Sequence, residues 1–584
     1  MAELIKLTID GIEVEVPAGT TVLEAADKAN ISIPRLCYLK DINEIGACRM
    51  CIVDTGARSL QASCVLPATN GMVVKTNTPA IRKARKMNLE LILSNHDKKC
   101  LSCVRSQNCE LQKLCVELGI EDGDRFAGKI TQYNVDSVSD SIVRDNNKCI
   151  LCRRCVAVCA KTQYAGVIGP VNRGFDTIIE SAWDMSLANT ACVNCGQCIA
   201  ACPVGALREK DETDKVWEYL SDPTKHVVVQ PAPAVRAALG EEFGLPMGTS
   251  VTGRLSAALH RLGFDRVFDT NFAADQTIME ESAELVDRIT NNGVLPMSTS
   301  CCPAWIKFCE QYYPEFLPHV SSCKSPHQMA GATIKTYYAK NAGIDPKDII
   351  TVSVMPCTAK KFEKARPEME VDGLRDVDAV ITTRELARMI KEAGIDFVNL
   401  PDMPFDKLMG ESTGAGVIFG ATGGVAEAAL RTAYEKVTGK TLESVDFEDV
   451  RGVKGLKEAV VEIGDLKLRC AVVHGLNNAA AMLDDIKSGK KQYDFIEVMA
   501  CPGGCVNGGG QPIIPPQVRE KCDPLKIRAK ALYNEDAGNP KRKSHENEEI
   551  VALYENFLKE PNSHLSHKLL HTHYYERPLY TDEE

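Results

Sequence analysis

Three short stretches in the second half of the chain constrain its fold most: TSCCPAW (Thr299–Trp305), MPCTAKKFE (Met355–Glu363) and MACPGGCVNGGGQP (Met499–Pro512). They carry five cysteines, Cys301, Cys302, Cys357, Cys501 and Cys505, in groups far apart along the chain. Each stretch follows an apolar, strand-like run: GVLPM (Gly293–Met297), IITVSVM (Ile349–Met355) and FIEVM (Phe495–Met499). In an open α/β sheet, ligands collect outside the carboxyl ends of parallel strands. Three cysteine groups at three such ends predict one thiolate-lined pocket with a metal cluster in it. Four thiolates complete a cubane iron–sulfur cluster, so one of the five has another task. Cys301 and Cys302 are adjacent and should diverge. Cys301 is then a packing residue or, better suited to a metal pocket, a proton donor, since a thiol titrates within reach of neutral pH.

With 584 residues the chain is long enough for several domains and a large core. A net charge of −11 with no concentrated basic stripe argues against a nucleic-acid partner. No stretch approaches the roughly 20 apolar residues that span a bilayer, so no membrane is expected. The opening MAELIKLTIDG has no basic n-region, apolar h-region or twin-arginine signal, and the expected compartment is cytoplasmic. There, 25 cysteines would be odd as disulfides, and most fall in tight runs with metal-ligand spacing. Cys115, Cys309, Cys323, Cys470 and Cys522 belong to no run and read as core or inert thiols.

Residues 1–80 read as a small β-grasp unit. LIKLTI and IEVEV alternate about Asp10-Gly11, a two-residue hairpin signal, and Thr20 or Thr21 can cap the helix VLEAADKAN. Cys37, Cys48, Cys51 and Cys64 follow, with ten, two and twelve residues between them. A four-cysteine zinc site is the plainer alternative, but it explains neither hairpin nor helix. Residues 81–125 are mostly helical and lead to His96, Cys100, Cys103 and Cys109. A lone histidine before cysteines is usually structural; here it completes the four ligands that a cubane requires. Residues 126–210 hold an internal repeat: Cys149, Cys152, Cys155 and Cys159 share their spacing with Cys192, Cys195, Cys198 and Cys202, and Pro203 follows. This is the two-cluster bacterial ferredoxin run, in which the fourth cysteine of each set ligates the other cluster. The expected cubanes are Cys149/Cys152/Cys155/Cys202 and Cys192/Cys195/Cys198/Cys159. From about 211 onward strand and helix alternate, as in α/β units. The run from Val417 to Val437 reads as strand, glycine turn and helix, and Gly420–Gly424 matches no complete nucleotide fingerprint. The polar tail carries His545, His564, His567, His571 and His573, read as a solvated face rather than a zinc site.

The three distal segments resemble the signature segments of FeFe-hydrogenases, and the cysteine train before them resembles the long clostridial-type form. The segments around Cys37–Cys64 and His96–Cys109 are also similar to the large iron–sulfur subunit of respiratory NADH dehydrogenase. The resemblance covers nearly the whole chain. It implies a multidomain α+β and α/β fold: a β-grasp 2Fe–2S ferredoxin domain (1–80), a small helical domain with a histidine-ligated 4Fe–4S cluster (81–125), a bacterial two-cluster ferredoxin domain (126–210), a large two-lobed α/β H-cluster domain (211–520) and a C-terminal helical segment wrapping it (521–584). The implied cofactors are one 2Fe–2S cluster, three accessory 4Fe–4S clusters and an H-cluster. In the H-cluster a cubane sits on Cys302, Cys357, Cys501 and Cys505. Cys505 bridges it to a di-iron unit with CO, cyanide and azadithiolate.

Further roles follow from the same resemblance. Lys360 matches the lysine that hydrogen-bonds a cyanide, and Met355 and Met499 match residues beside the di-iron unit. The family's proton route maps onto Cys301, Glu281, Ser321, Glu284 and Arg288. Glu281, Glu284 and Arg288 are spaced to share one helical face; on pattern alone they read as a surface salt-bridge cluster. Two positions depart. Ala234 in APAVR replaces a serine that helps hold cyanide, leaving backbone amides near Pro233 and Ala234. His327 in SPHQM stands where glutamine is common, and imidazole can change charge near neutral pH.

The implied activity is reversible hydrogen chemistry, two protons and two electrons giving H2. Electrons come from ferredoxin alone, or the chain is the hydrogen-active subunit of an NAD(P)-linked, electron-bifurcating complex with an NAD(P)H-oxidising flavoprotein and small Fe–S subunits. No flavin or nicotinamide fingerprint is present, so an NAD(P) site belongs to a partner. APAVR and the length of 584 residues favour the multi-subunit form. Maturation proteins are further implied partners. One rival is an electron-wiring subunit without hydrogen chemistry, against which the distal cysteines and Lys360 argue. Another is a hydrogen sensor, for which no signalling extension is visible.

Overall fold

The computed structural model describes residues 3–581 apart from 129, 443 and 465. At the amino end, Leu4–Ile9 and Ile12–Pro17 pair antiparallel. Asp10 and Gly11 take φ of 49° and 84°, the positive values that a two-residue hairpin turn needs. Val73–Val74 adds a parallel third strand. Thr21 caps the helix Val22–Lys28, and Glu24 closes a capping box. The helix Pro79–Leu93, capped by Thr78, opens the second unit and leads to His96. In the repeat, Ile142–Arg144 pairs antiparallel with Leu207–Glu209, which brings its two ends together.

The large unit contains two four-stranded sheets. The first runs Arg266–Val267, His226–Pro231, Ile349–Met355, Ala379–Thr382, all parallel. Every residue of Ile349–Met355 is buried, as expected of a strand covered on both faces. The second runs Met297–Ser298, Phe495–Met499, Leu466–His474 in parallel, with Leu456–Ile463 antiparallel at the edge.

Three expectations need correction. GVLPM contributes only Met297 to the strand Met297–Ser298, because Pro296 has no N–H for the ladder. Val417 and Ile418 are not in a strand but end the helix Gly414–Ile418, which Thr413 caps. A short apolar run carries no readable period. The glycines after it do pack closely: a Cβ on Gly424 would lie 1.8 Å from the Ile418 carbonyl oxygen. Finally, the tail histidines are not all solvated. His571 is buried against Glu280 and Ser322, and His545 is half-buried between Thr432 and Glu435. The tail itself is stitched to the large unit. Lys324 N donates to Leu570 O at 2.7 Å and Thr572 N to Ser322 O at 2.8 Å.

Among the described residues no helix is long and apolar enough to cross a membrane. The ferredoxin-like repeat meets the large unit through glycines. Gly196 has φ 69°, and a Cβ there would lie 2.4 Å from Thr358 Oγ1 and 3.0 Å from Gly509 Cα. A Cβ on Gly509 would lie 2.5 Å from Cys195 O. Hydrogen bonds close the seam: Thr358 Oγ1 to Asn194 O (2.7 Å), Gln197 Nε2 to Asn507 O (2.8 Å) and Gln163 Nε2 to Ala500 O (2.9 Å). Gly196→Ala should destabilise the protein by about 1–2 kcal/mol from the left-handed backbone alone, with the clash adding to it. Thermal or denaturant unfolding checks this, and an unchanged midpoint would refute the tight seam.

Candidate active site

Residues at or just beyond the ends of four parallel strands, two from each sheet, line one cavity. They include Ala232, Pro233 and Ala234 after His226–Pro231, Cys301 and Cys302 after Met297–Ser298, Met355, Cys357 and Lys360 at or after the end of Ile349–Met355, and Met499 and Cys501 at or after the end of Phe495–Met499. Cys505, His327 and Phe419 also line it. All five distal cysteines therefore share the cavity. Cys302 immediately precedes the helix Pro303–Tyr312, and its Sγ accepts from Ala500 N at 3.5 Å. Burial pushes the Cys357 thiol up to about 12 and raises Cys302, Cys501 and Cys505 as well. Four soft donors that desolvation keeps protonated in an apolar wall fit an iron–sulfur cluster, which would deprotonate and hold them.

Lys360 is buried in the same wall. Its Nζ donates to Cys301 O at 3.0 Å and to Glu363 Oε2 at 2.9 Å. An ammonium has three N–H groups, so one is left for an anionic ligand in the cavity. His327 Nε2 lies 2.6 Å from Glu363 Oε2 and its Nδ1 3.3 Å from Ser353 Oγ. The sequence reading singled out Lys360 and His327, but not Glu363.

On the other side of Cys301 runs a polar line along the helix Thr270–Thr290. Burial, then Glu281, raises the Cys301 thiol well above its usual range. Burial, with Glu284 nearby, also pushes Glu281 up to about 8. Glu281 Oε1 accepts from Ser300 N at 3.3 Å. Ser321 Oγ donates to Glu284 Oε2 at 2.7 Å, and Arg288 Nη2 holds Glu284 Oε1 at 2.6 Å. The structure thus brings Glu281, Glu284, Ser321 and Arg288 together, one helical turn apart where they share the helix. Sequence reasoning missed the partners behind them. Ser322 N donates to Glu284, Ser322 Oγ bonds His571 Nδ1 at 2.8 Å, and Tyr554 donates to Glu280 at 2.5 Å. No sequence spacing links a tail histidine to this helix.

The upstream cysteines gather in separate sites. One cavity is lined by Cys149, Cys152, Cys155 and Cys202, another by Cys159, Cys192, Cys195 and Cys198. Near the amino end the Cys51 and Cys64 sulfurs lie 3.3 Å apart, and the Cys37 and Cys48 thiols interact. His96 is buried and its Nδ1 has no hydrogen-bond partner, an orphan that a metal would satisfy. Of the cysteines that follow His96 in sequence, Cys103 Sγ would lie 2.6 Å from a Cβ on Gly205, and Cys109 Sγ lies 3.8 Å from Pro203 O.

Comparison with known proteins assigns these segments to families. Family models match the 2Fe-2S iron-sulfur cluster binding domain over residues 2–79, the NADH-ubiquinone oxidoreductase-G iron-sulfur binding region over 85–124 and a 4Fe-4S dicluster domain over 148–206. The C-terminal domain of the iron only hydrogenase large subunit matches residues 225–509, and the iron hydrogenase small subunit matches 523–577. The NADP-reducing hydrogenase subunit HndD of Solidesulfovibrio fructosivorans is 53% identical over 586 residues, covering 98% of this chain and 99% of that protein. Iron hydrogenase 1 of Clostridium pasteurianum is 47% identical over 569 residues, covering 97% and 99%. A solved structure of the [FeFe]-hydrogenase HydA1 from Chlamydomonas reinhardtii superposes with a TM-score of 0.57 at 44% identity, over 63% of this chain and 100% of that one. On this cavity and these matches, the chain belongs to the iron-only, or FeFe, hydrogenases, iron–sulfur oxidoreductases that act on hydrogen.

Proposed function

We propose that the cavity holds an H-cluster and that this chain is the hydrogen-active subunit of an NAD(P)-linked hydrogenase. The first part rests on the convergence of Cys302, Cys357, Cys501 and Cys505 with Lys360 on one apolar cavity. The four cysteines would hold the cubane, and Cys505 would also serve the di-iron unit. Met355, Met499, Pro233 and Ala234 would pack beside that unit, and Lys360 would offer its remaining N–H to a cyanide. Ala234 has no hydroxyl, so hydrogen bonding at that position falls to backbone amides. When bound, the group supplies the reversible electron and proton chemistry of H2.

This chain's residues move the protons. Cys301 stays protonated at Sγ and faces the site. Glu281, protonated at neutral pH, supplies it from within the protein. Ser321 links toward Glu284, and Arg288 fixes Glu284 at the outer end by its ion pair. The chain also carries the electrons, through one 2Fe–2S site, the His96 site and two cubanes. Asn43 Nδ2 donates to Cys37 O at 2.7 Å and to Cys152 O at 3.0 Å, which ties the 2Fe–2S site to the Cys149/Cys152/Cys155/Cys202 cavity. Cys109 against Pro203 ties the His96 site to the same cavity. The other cubane adjoins the H-cluster site across the Gly196–Gly509 seam. Two inlets converging on one relay suit a chain fed by more than one carrier, ferredoxin among them. The relative named an NADP-reducing hydrogenase subunit favours a partner that carries the NAD(P) and flavin sites.

Three outcomes are expected. Matured protein should show infrared bands of CO and cyanide, and Cys301→Ala should keep those bands and all iron while losing H2 evolution by about 100-fold or more. Missing bands in the wild type would defeat the H-cluster reading; substantial turnover in the variant would defeat the role of Cys301. Burial raises the Glu281 pKa, so its carboxyl holds a proton below about pH 8 and loses it above. H2 evolution should therefore fall as pH rises through about 8, and a pH–rate profile flat across that range would count against this donor. Native purification should recover a flavoprotein with the chain and NAD(P)H-dependent H2 evolution. A lone active chain, driven by ferredoxin and insensitive to NAD(P)H, would overturn the multi-subunit form.

A further inference from the structure

Behind the cavity wall sits a buried carboxylate that neither the cluster ligands nor the proton line uses. Glu363 is 3% exposed, and a single oxygen, Oε2, meets two bases: Lys360 Nζ at 2.9 Å and His327 Nε2 at 2.6 Å. Both bases line the cavity, whereas Glu363 does not. Glu363 and Lys360 lie three residues apart on the helix Ala359–Ala365, so the pair is built into one turn.

Two consequences follow from donor and acceptor chemistry. Burial would raise the Glu363 carboxyl, but Lys360 and His327 outweigh it and bring it down to about 2. A carboxylate only accepts, so the 2.6 Å contact places a proton on His327 Nε2 and leaves Nδ1 to accept from Ser353 Oγ at 3.3 Å. Burial, reinforced by the Lys360 charge, lowers His327 to about 4, so this imidazole is neutral. The trio then carries one positive and one negative charge, and the buried ammonium is compensated even before a ligand arrives. Moreover, two of the three Lys360 donors are anchored, on Cys301 O and on Glu363 Oε2. Anchoring two fixes the direction of the third.

We propose that Glu363 is a positioning residue: it sets the aim of Lys360 and the tautomer of His327, and so the polar contacts that the cavity wall offers to an anionic metal ligand. This rests on the H-cluster reading and specifies how this chain accommodates a histidine at 327. The cyanide groups of the di-iron unit are the ligands concerned, and they report on their hydrogen bonds through their infrared stretches.

The test uses full-length matured protein as wild type, Glu363→Gln, Glu363→Asp and His327→Gln, with iron content and the cubane's electron paramagnetic signal measured beside the infrared spectrum. Glu363→Gln should keep its iron–sulfur clusters, shift the cyanide bands and retain the di-iron unit about tenfold less well, the scale of one charge-assisted hydrogen bond. Glu363→Asp should restore part of both. His327→Gln should give the smaller shift, because the Lys360–Glu363 pair survives. Unshifted cyanide bands in Glu363→Gln would overturn the proposal. So would loss of its cubane together with the di-iron unit, which would make Glu363 a residue of the wall's folding alone. Wild-type protein without CO and cyanide bands would instead refute the underlying H-cluster reading, whatever the variants show.

Discussion

Where Cys195–Gly196 lies against Gly509, two backbones come so close that neither tolerates a side chain. The catalytic cavity and the nearer ferredoxin-like site are neighbours because of that approach. Side chains at those positions would push the Cys195 loop away from Cys357 and Cys505, and electron transfer falls steeply with distance. The three glycines Gly508, Gly509 and Gly510 are therefore a structural requirement: a Cβ on Gly508 would lie 2.1 Å from Pro356 O. Arg384 holds the same corner. It donates to Gly509 O at 2.8 Å while pairing with Glu209 of the repeat at 2.7 Å.

Elsewhere in the large unit the loops are fixed by buried charge placed in pairs. Lys324 meets Asp376 at 2.7 Å, Lys361 meets Glu385 at 3.0 Å, and Arg236 meets Asp269 at 2.7 Å, all sheltered from solvent. Such pairs add little net stability over well-packed apolar residues, but removing one partner costs about 3–5 kcal/mol. They act on geometry. Each pair admits one arrangement of the strand ends or loops it joins, and the cavity needs those loops to agree on the position of four sulfurs. Lys360, paired with Glu363 at 2.9 Å, belongs to this pattern.

Much of the fold was legible in the chain because cysteine runs and apolar strands are local in sequence. Three-residue steps between cysteines survive any tertiary arrangement, and Ile349–Met355 and Phe495–Met499 were readable as strands from apolar character alone. The failures share a cause. Val417–Ile418 looks like a strand and is helix because Thr413 caps it and its surroundings bury it on every side. Pro296 shortens a strand that its neighbours would have extended. Glu363 and His571 owe their importance to partners brought near only by folding: His327 lies 36 residues from Glu363, and Ser322 249 from His571. Spacing has no means of showing such pairs. His571 and His545 were misjudged for the same reason, since their burial depends on Glu280 and Glu435 in other elements.

Residues 523–577 match a family described as a small subunit, yet here they continue the same chain as the large unit they cover. Their docking, through the Leu570 and Thr572 backbone bonds and the Arg577–Glu310 pair at 2.8 Å, is thus an intramolecular event. Its equilibrium is set by an effective concentration that the linker defines, independent of dilution. Two separate chains would part as their concentration fell. In this one the wrap that buries His571 against Ser322, next to Glu284, has nowhere to diffuse, so His571 stays covered at any expression level.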